Sequence, residues 1–309
     1  MPKLLTHWIF AEDLRQRLPS NGAVARAVNR HPNLYRYGAV APDTPFYLLW
    51  GPGSRTLNAH AEVFHETGAG LERFLRSTGA ERRLALAAGV FSHAAADAVF
   101  HPMVYHFSSA GTGRARSRHH RLEAWIDLYF SRNFKRPEVC RLDHILRGLE
   151  VGVGTLIGWL AVLFDLDPRR HRRHLQRALR CNDYFLRLFS NRAARLLAGL
   201  AFPISPDGLR AYLAHFYPLQ PPPPERLFTA PIAYRNPATG EPHRRHIDEM
   251  KQEAIDTALV LCQKMQAGEH RLSVLMPRGW NLHTGIGARP KAAMTFFDTD
   301  VPVRQLVGF

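Results

Sequence analysis

The stretch "FSHAAADAVFHPMVYH", residues 91–106, decides how this chain is read. It is apolar and rich in alanine, a strong helix-forming composition, yet it carries His93, Asp97 and His101 at intervals of four. In an α-helix, positions four apart drift by only about 40° around the axis and rise by about 6 Å, so these groups share one stripe. A hydrogen-bonded core position explains one such histidine. Two imidazoles and a carboxylate in one stripe cost desolvation unless each finds a partner, and a metal ion satisfies all three together. Ala94, Ala95, Ala96 and Ala98 leave room beside the row for a second helix or an ion. Pro102 lacks the backbone donor and is expected to bend or end the helix, leaving His101 near its end.

The next polar row lies in "RHHRLEAWID", residues 118–127, where His119 and Glu123 stand at i and i+4 and Asp127 follows one turn later. Two antiparallel helices can bring such rows to one site, as bundle cores do. His120 is the alternative to His119. Further His and carboxylate candidates are His7 in the first helix, Asp43 in the Pro/Gly stretch, and His60 and His65 in "NAHAEVFHETGAG", all of types that zinc accepts.

Helical spacing of apolar residues recurs over 4–18, 58–78, 81–106, 119–132, 142–164, 170–199, 206–216 and 244–266, while strand alternation is scarce. An all-α fold follows. Residues 33–57, including "GAVAPDTPFYLLWGPGS", read as a long ordered loop, and loops of that length are often functional. "YPLQPPPPERLFTAPIAYRNPATGEPH", 217–243, reads as an extended belt between helices. The expected organisation is a helical core over 1–216, with a belt, a packing helix and an irregular tail over 217–309 belonging to the same domain.

Lys and Arg number 41 against 26 Asp and Glu, a formal charge of +15 that favours anionic partners. The densest basic run, "DPRRHRRHLQRALR" at 167–180, has no interleaved aromatics for base stacking and reads as a solvated helix face. The apolar run 151–164 is too short to span a bilayer and reads as a buried helix. The first residues lack a signal peptide's apolar centre, and the three cysteines, Cys140, Cys181 and Cys262, have no CxxC pairing, so a reducing, cytoplasmic setting without a disulfide framework is expected. HExxH, phosphate-loop, GxGxxG and GxSxG motifs are absent.

"THWIFAEDL" at 6–14, "GAVAPDTP" at 38–45, "FHETGAG" at 64–70, "GVFSHAAADAVFHP" at 89–102 and "RHHRLEAWID" appear in an order that resembles the zinc-dependent phospholipase C family. The likeness covers roughly residues 1 to 130, and the remainder resembles a helical continuation. It implies an all-α bundle with two or three zinc ions. Asp43, His65, His93 and Asp97 would surround one zinc, His101, His119 and Glu123 a second, and His7 with Asp97 a third. Asp97 would bridge metals, and Asp43 would also position or deprotonate the attacking water. Secreted relatives use the amino group of a mature N-terminal Trp as a ligand, whereas here Trp8 is internal, which leaves the third zinc open. The implied activity is hydrolysis of a phospholipid or other phosphodiester, with peripheral contact to an anionic membrane. The alternatives are single-stranded nucleic acid as substrate, which the missing aromatics disfavour, and a non-catalytic zinc-stabilised binding protein.

Overall fold

A computed structural model describes residues 4–77, 80–134, 141–218, 226–276, 279–301 and 303. The chain runs through α1 (Leu4–Arg17), α2 (Ala23–Arg30), α3 (Pro32–Gly38), a 3-10 helix (Ala41–Tyr47), α4 (Ser54–Thr67), α5 (Leu71–Arg76), α6 (Glu81–Ser108) and α7 (Arg114–Asn133). It continues with α8 (Leu142–Arg147), α9 (Val153–Leu163), α10 (Pro168–Ser190), α11 (Arg192–Ala201) and α12 (Asp207–Leu213). An antiparallel hairpin of β1 (Ile232–Arg235) and β2 (Pro242–Arg245) precedes α13 (Ile247–Gln266) and the short α14 (Leu272–Leu275). That hairpin is the whole of the β-structure among the described residues, so the fold is all-α as expected.

The alanine-rich 91–106 stretch lies inside α6, the axis of the molecule, on which α1, α2, α3, α7 and α13 pack. By length and hydropathy α6 is able to cross a membrane, but 89% of its apolar window is buried inside the protein, which makes it a core helix. Two glycines set how α3 meets it. A Cβ at Gly89 would fall 2.2 Å from the Tyr35 carbonyl oxygen, and one at Gly38 would fall 2.3 Å from that of Leu86. Only glycine permits this near contact of backbones. One turn beyond Gly89 is His93, so the close approach brings the chain after α3, and with it Asp43, to the polar row.

Residues 33–57 are ordered but not mainly loop. Pro32 occupies the first turn of α3, where a missing N–H costs nothing, and Pro42 and Pro45 sit within the 3-10 helix. Several long helical readings are divided. Gly68 and Gly70, at φ +67° and +86°, separate α4 from α5, and Asn191 ends α10 and caps α11 by accepting from Ala194 N at 3.0 Å. Of the two outcomes expected at Pro102, a bend or a stop, the stop does not occur, because α6 continues to Ser108. Pro102 frees one acceptor, the Ala98 carbonyl, and Gly285 lies so close to it that a Cβ there would come within 2.6 Å of that oxygen. The neighbouring chain shields the gap in the ladder.

Of the belt read at 217–243, residues 219–225 lie outside the described set, as does Cys140. The following part forms the hairpin and leads into α13, whose start carries a capping box of His246 and Glu249. The basic run becomes the first turns of α10, with Asp167 as its cap and with Arg169, Arg170, Arg172 and Arg173 exposed. This is the solvated face that the composition suggests.

Candidate metal centre

The polar row on α6 faces inward. His93 and Asp97 are fully buried, with His93 Nε2 and Asp97 Oδ2 3.1 Å apart but angled away from hydrogen-bond geometry. The 3-10 helix supplies Asp43, whose Oδ1 is 3.6 Å from His93 Nε2, and α4 supplies His65, with Nε2 3.9 Å from the same oxygen. Asp43, His65, His93 and Asp97 form a buried group in which one ligand atom from each lies within 4.8 Å of the others. One turn further along α6, His101 joins His119 and Glu123 of α7 in a second group that meets the same limit. His119 Nε2 is 2.7 Å from Glu123 Oε1.

His7, from α1, stacks on the His93 ring with centroids 4.0 Å apart and places Nε2 3.5 Å from Asp97 Oδ1. Asp127 fixes this part of α1. Its carboxylate accepts from the Thr6 amide at 2.7 Å, from the Thr6 hydroxyl and from the Tyr217 hydroxyl at 2.7 Å. The two rivals lie differently. His60 turns away to pair with the Phe164 carbonyl at 2.9 Å, while His120 meets the far oxygen of Glu123 at 3.1 Å and packs against the His215 ring.

Do these residues fit a metal? Both ring nitrogens of His7 and His65, Nε2 of His93 and of His101, Oδ1 of Asp43 and both oxygens of Asp97 are buried without a hydrogen bond. Such groups are costly to bury unpaired, and together they make the nitrogen and oxygen donor set that zinc takes. The other ring nitrogens are already committed. His93 Nδ1–H donates to the Ala39 carbonyl at 2.9 Å, and His101 Nδ1–H donates to that of Leu282, which turns each Nε2 lone pair inward.

Charge points the same way. Burial, opposed by His93 and reinforced by the Asp97 carboxylate, pushes Asp43 up to about 7. Burial alone would keep His93 neutral, but the Asp97 and Asp43 carboxylates outweigh it and hold the imidazole up at about 9. Burial lowers His7, His65, His101 and His119, His65 to about 3, and leaves them as neutral donors. Without a metal, a proton held on His93 between the two carboxylates occupies the place that a cation would take.

The tail read as irregular supplies a part of the site that sequence reasoning missed. Trp280 Nε1 donates to the Phe64 carbonyl at 2.8 Å and the Leu282 amide to that of His65 at 2.7 Å, while the Leu282 carbonyl receives His101. This strap joins the two groups. His283 follows, stacked between the rings of His65 and His101 with centroids 5.6 and 5.8 Å away. Its Nε2–H donates to Glu62 at 3.0 Å, which leaves Nδ1 to accept from the Tyr105 hydroxyl at 3.2 Å. Both nitrogens are thereby used, so His283 buttresses the two groups and offers neither nitrogen to a metal. The signal available was "GWNLHTGIG", residues 279–287, where Trp, Asn and His sit between glycines.

Comparison with curated proteins and with solved structures gives no match. A family model described as zinc dependent phospholipase C matches residues 6–187, a span that contains every member of both groups and His7. The match takes in more than half of the 309 residues, and the chain belongs to the zinc-dependent phospholipase C family.

Proposed function

We propose that this protein hydrolyses a glycerophospholipid in the manner of a phospholipase C, with Asp43, His65, His93 and Asp97 around one zinc and His101, His119 and Glu123 around a second. His7 and Asp97 are the pair suited to a third. The observation that carries the reading is the gathering within 4.8 Å of one ligand atom each from Asp43, His65, His93 and Asp97, where His65, His93 Nε2, Asp43 Oδ1 and Asp97 are buried without a hydrogen bond, with His101, His119 and Glu123 meeting the same limit beside them. When bound, zinc supplies Lewis acidity and brings the pKa of water from about 16 toward about 7.

In the proposed reaction the water oxygen bonds to phosphorus, the bond from phosphorus to the glycerol oxygen breaks, and that oxygen leaves with a proton as diacylglycerol. Asp43 is the carboxylate we assign to take the water's proton, through an oxygen that zinc leaves free. His93 and His101 are oriented by carbonyl acceptors, and the strap over them limits water access from that side. A cavity of about 350 Å3 beside α1, walled by Leu4, Trp8, Tyr47, Leu186 and Phe189, offers an apolar surface for the glyceride part. Tyr47, in its wall, belongs to the 3-10 helix that carries Asp43, and His215, also in its wall, packs against the ring of His120 beside His119.

The test is incubation of zinc-loaded protein with phosphatidylcholine and, separately, with single-stranded DNA. Release of diacylglycerol and phosphocholine, abolished by a chelator and reduced at least about a hundredfold in His93→Ala and Asp97→Asn, is the expected result. Cleavage of DNA alone moves the protein to the nuclease reading. Hydrolysis of neither by the zinc-loaded protein overturns the proposal.

A further inference from the structure

α11 is built inside out. Its sequence "RAARLLAGLA" buries only Ala198, while Leu196, Leu197 and Leu200 are 49%, 67% and 67% exposed and Ile204, in the turn that follows, is 86% exposed. At 100° per residue Leu196, Leu197 and Leu200 fall within an arc of about 100°, with Ala198 on the opposite side, and Ile204 ends the short 3-10 helix Phe202–Ile204 that follows. Leu209 and Tyr212 of α12, 47% and 44% exposed, extend the apolar surface. Scattered exposed leucines need no explanation, but a contiguous ridge of large ones marks an interaction site.

What surrounds the ridge indicates its partner. Phe202, directly after α11, enters a hollow of about 640 Å3 lined by Arg114, Arg118, Arg121 and Arg210, with Asp207 and Asp300 among its other walls. The Arg121 guanidinium lies 4.8 Å over the Phe202 ring, which ties the basic hollow to the apolar ridge. The whole chain carries a formal +15. An apolar face bordered by the exposed Arg114 and by Arg121 matches an anionic bilayer surface, where acyl chains receive the leucines and phosphates these guanidinium groups, while Arg118 and Arg210 already donate to the Phe107, Val301, Phe202 and Pro203 carbonyls. A second copy of the chain would meet like charge. Its contact would also be small: a patch of this kind is on the order of a few hundred Å2, against roughly 800 Å2 per partner in stable assemblies.

The position of the ridge suits this use. α12 packs on α7, the helix that presents His119 and Glu123. We infer that the α11–α12 ridge is the surface by which the protein docks on an anionic phospholipid membrane, Leu196, Leu197, Leu200 and Ile204 entering the interface beside the candidate metal centre. The choice of a bilayer over a protein partner rests on the proposed phospholipid substrate, whereas docking itself requires no catalysis.

The experiment is flotation of the zinc-loaded full chain with phosphatidylcholine vesicles, with and without phosphatidylglycerol. It compares the parent protein with Leu197→Glu/Leu200→Glu and with the uncharged Leu197→Gln/Leu200→Gln. Because both leucines are two-thirds exposed, the thermal midpoint should stay unchanged in either variant. Vesicle partitioning that rises with phosphatidylglycerol and falls about tenfold or more in the Glu variant, and measurably in the Gln variant, supports docking. Hydrolysis of a short-chain, monomeric phosphatidylcholine by the same variants at the parental rate shows that the loss belongs to the ridge. Unchanged partitioning in both variants overturns the inference, as does a parent that forms ridge-dependent dimers on gel filtration and ignores vesicles. A protein that floats through the ridge yet hydrolyses no lipid keeps the docking surface and loses the catalytic reading.

Discussion

Asp127 illustrates how a residue outside the proposed ligand set can position His7, the residue proposed for a third zinc. It is fully buried and accepts three hydrogen bonds, two from Thr6, the neighbour of His7, and one from Tyr217. Removing the carboxylate strands two buried donors of Thr6 and the half-buried Tyr217 hydroxyl, so Asp127→Ala is expected to cost about 3 kcal/mol in urea denaturation and to lower zinc content together with the displaced His7. Asp127→Asn, which keeps one acceptor, should lose less. A full-strength Asp127→Ala would mean that these contacts do not position α1. Residues related by helical period were legible in the chain: His93, Asp97 and His101 are one stripe by arithmetic, and His119 with Glu123 are another. Asp127 carried no such signal for its role, since its partner Thr6 is 121 positions away. His283 was invisible for the same reason, being a lone imidazole whose neighbours His65 and His101 come from two other elements.

At the scale of elements, the packing of α3 on α6 decides whether Asp43 reaches His93. The two glycines at that crossing leave no room for a methyl group, and the obstructing atoms are backbone. Gly89→Ala is therefore expected to destabilise by about 1–3 kcal/mol through overpacking and to weaken metal retention, because the shift moves Ala39 and Asp43 away from His93. Thermal unfolding and zinc content measured on the same preparation check both parts, and a stable variant with parental zinc would contradict the role given to this contact. The existence of the main helices was readable from apolar spacing, since burial on one face leaves that pattern. Their ends were less so. Pro102 usually ends a helix, but the approach of Gly285 to the freed Ala98 carbonyl is a tertiary fact about residues 187 positions apart, and no local rule contains it.

Across the whole molecule, the two groups, His7 of α1 and the 280–283 strap join the 3-10 helix, α4, α6 and α7 around a shared polar interior. Metal binding at such a place is folding free energy, because the unfolded chain has no preformed site. Chelation should leave Asp43, Asp97 and their histidines buried and unpaired, and lower the melting temperature by roughly 10 °C, the equivalent of several kcal/mol for a chain of this size. An unchanged midpoint after complete zinc removal would show that the interior satisfies itself. The proposed union of the 1–216 helices with the later segments in one domain is checked by the same scan, which should give a single transition because α13 and the strap pack on α6 and its neighbours. The part of the architecture least visible beforehand was this return of the tail, as an irregular segment has no period to betray what it touches.

The central claim is that the buried His and carboxylate groups exist to hold zinc. Anomalous X-ray diffraction at the zinc edge, on crystals of protein purified without a chelator, tests it most directly. The expected result is a peak about 2.0–2.2 Å from ligand atoms of Asp43, His65, His93 and Asp97, with another at the same distance from His101, His119 and Glu123. A well-ordered structure with no anomalous density in either group, or with these side chains turned toward bulk solvent, would contradict it.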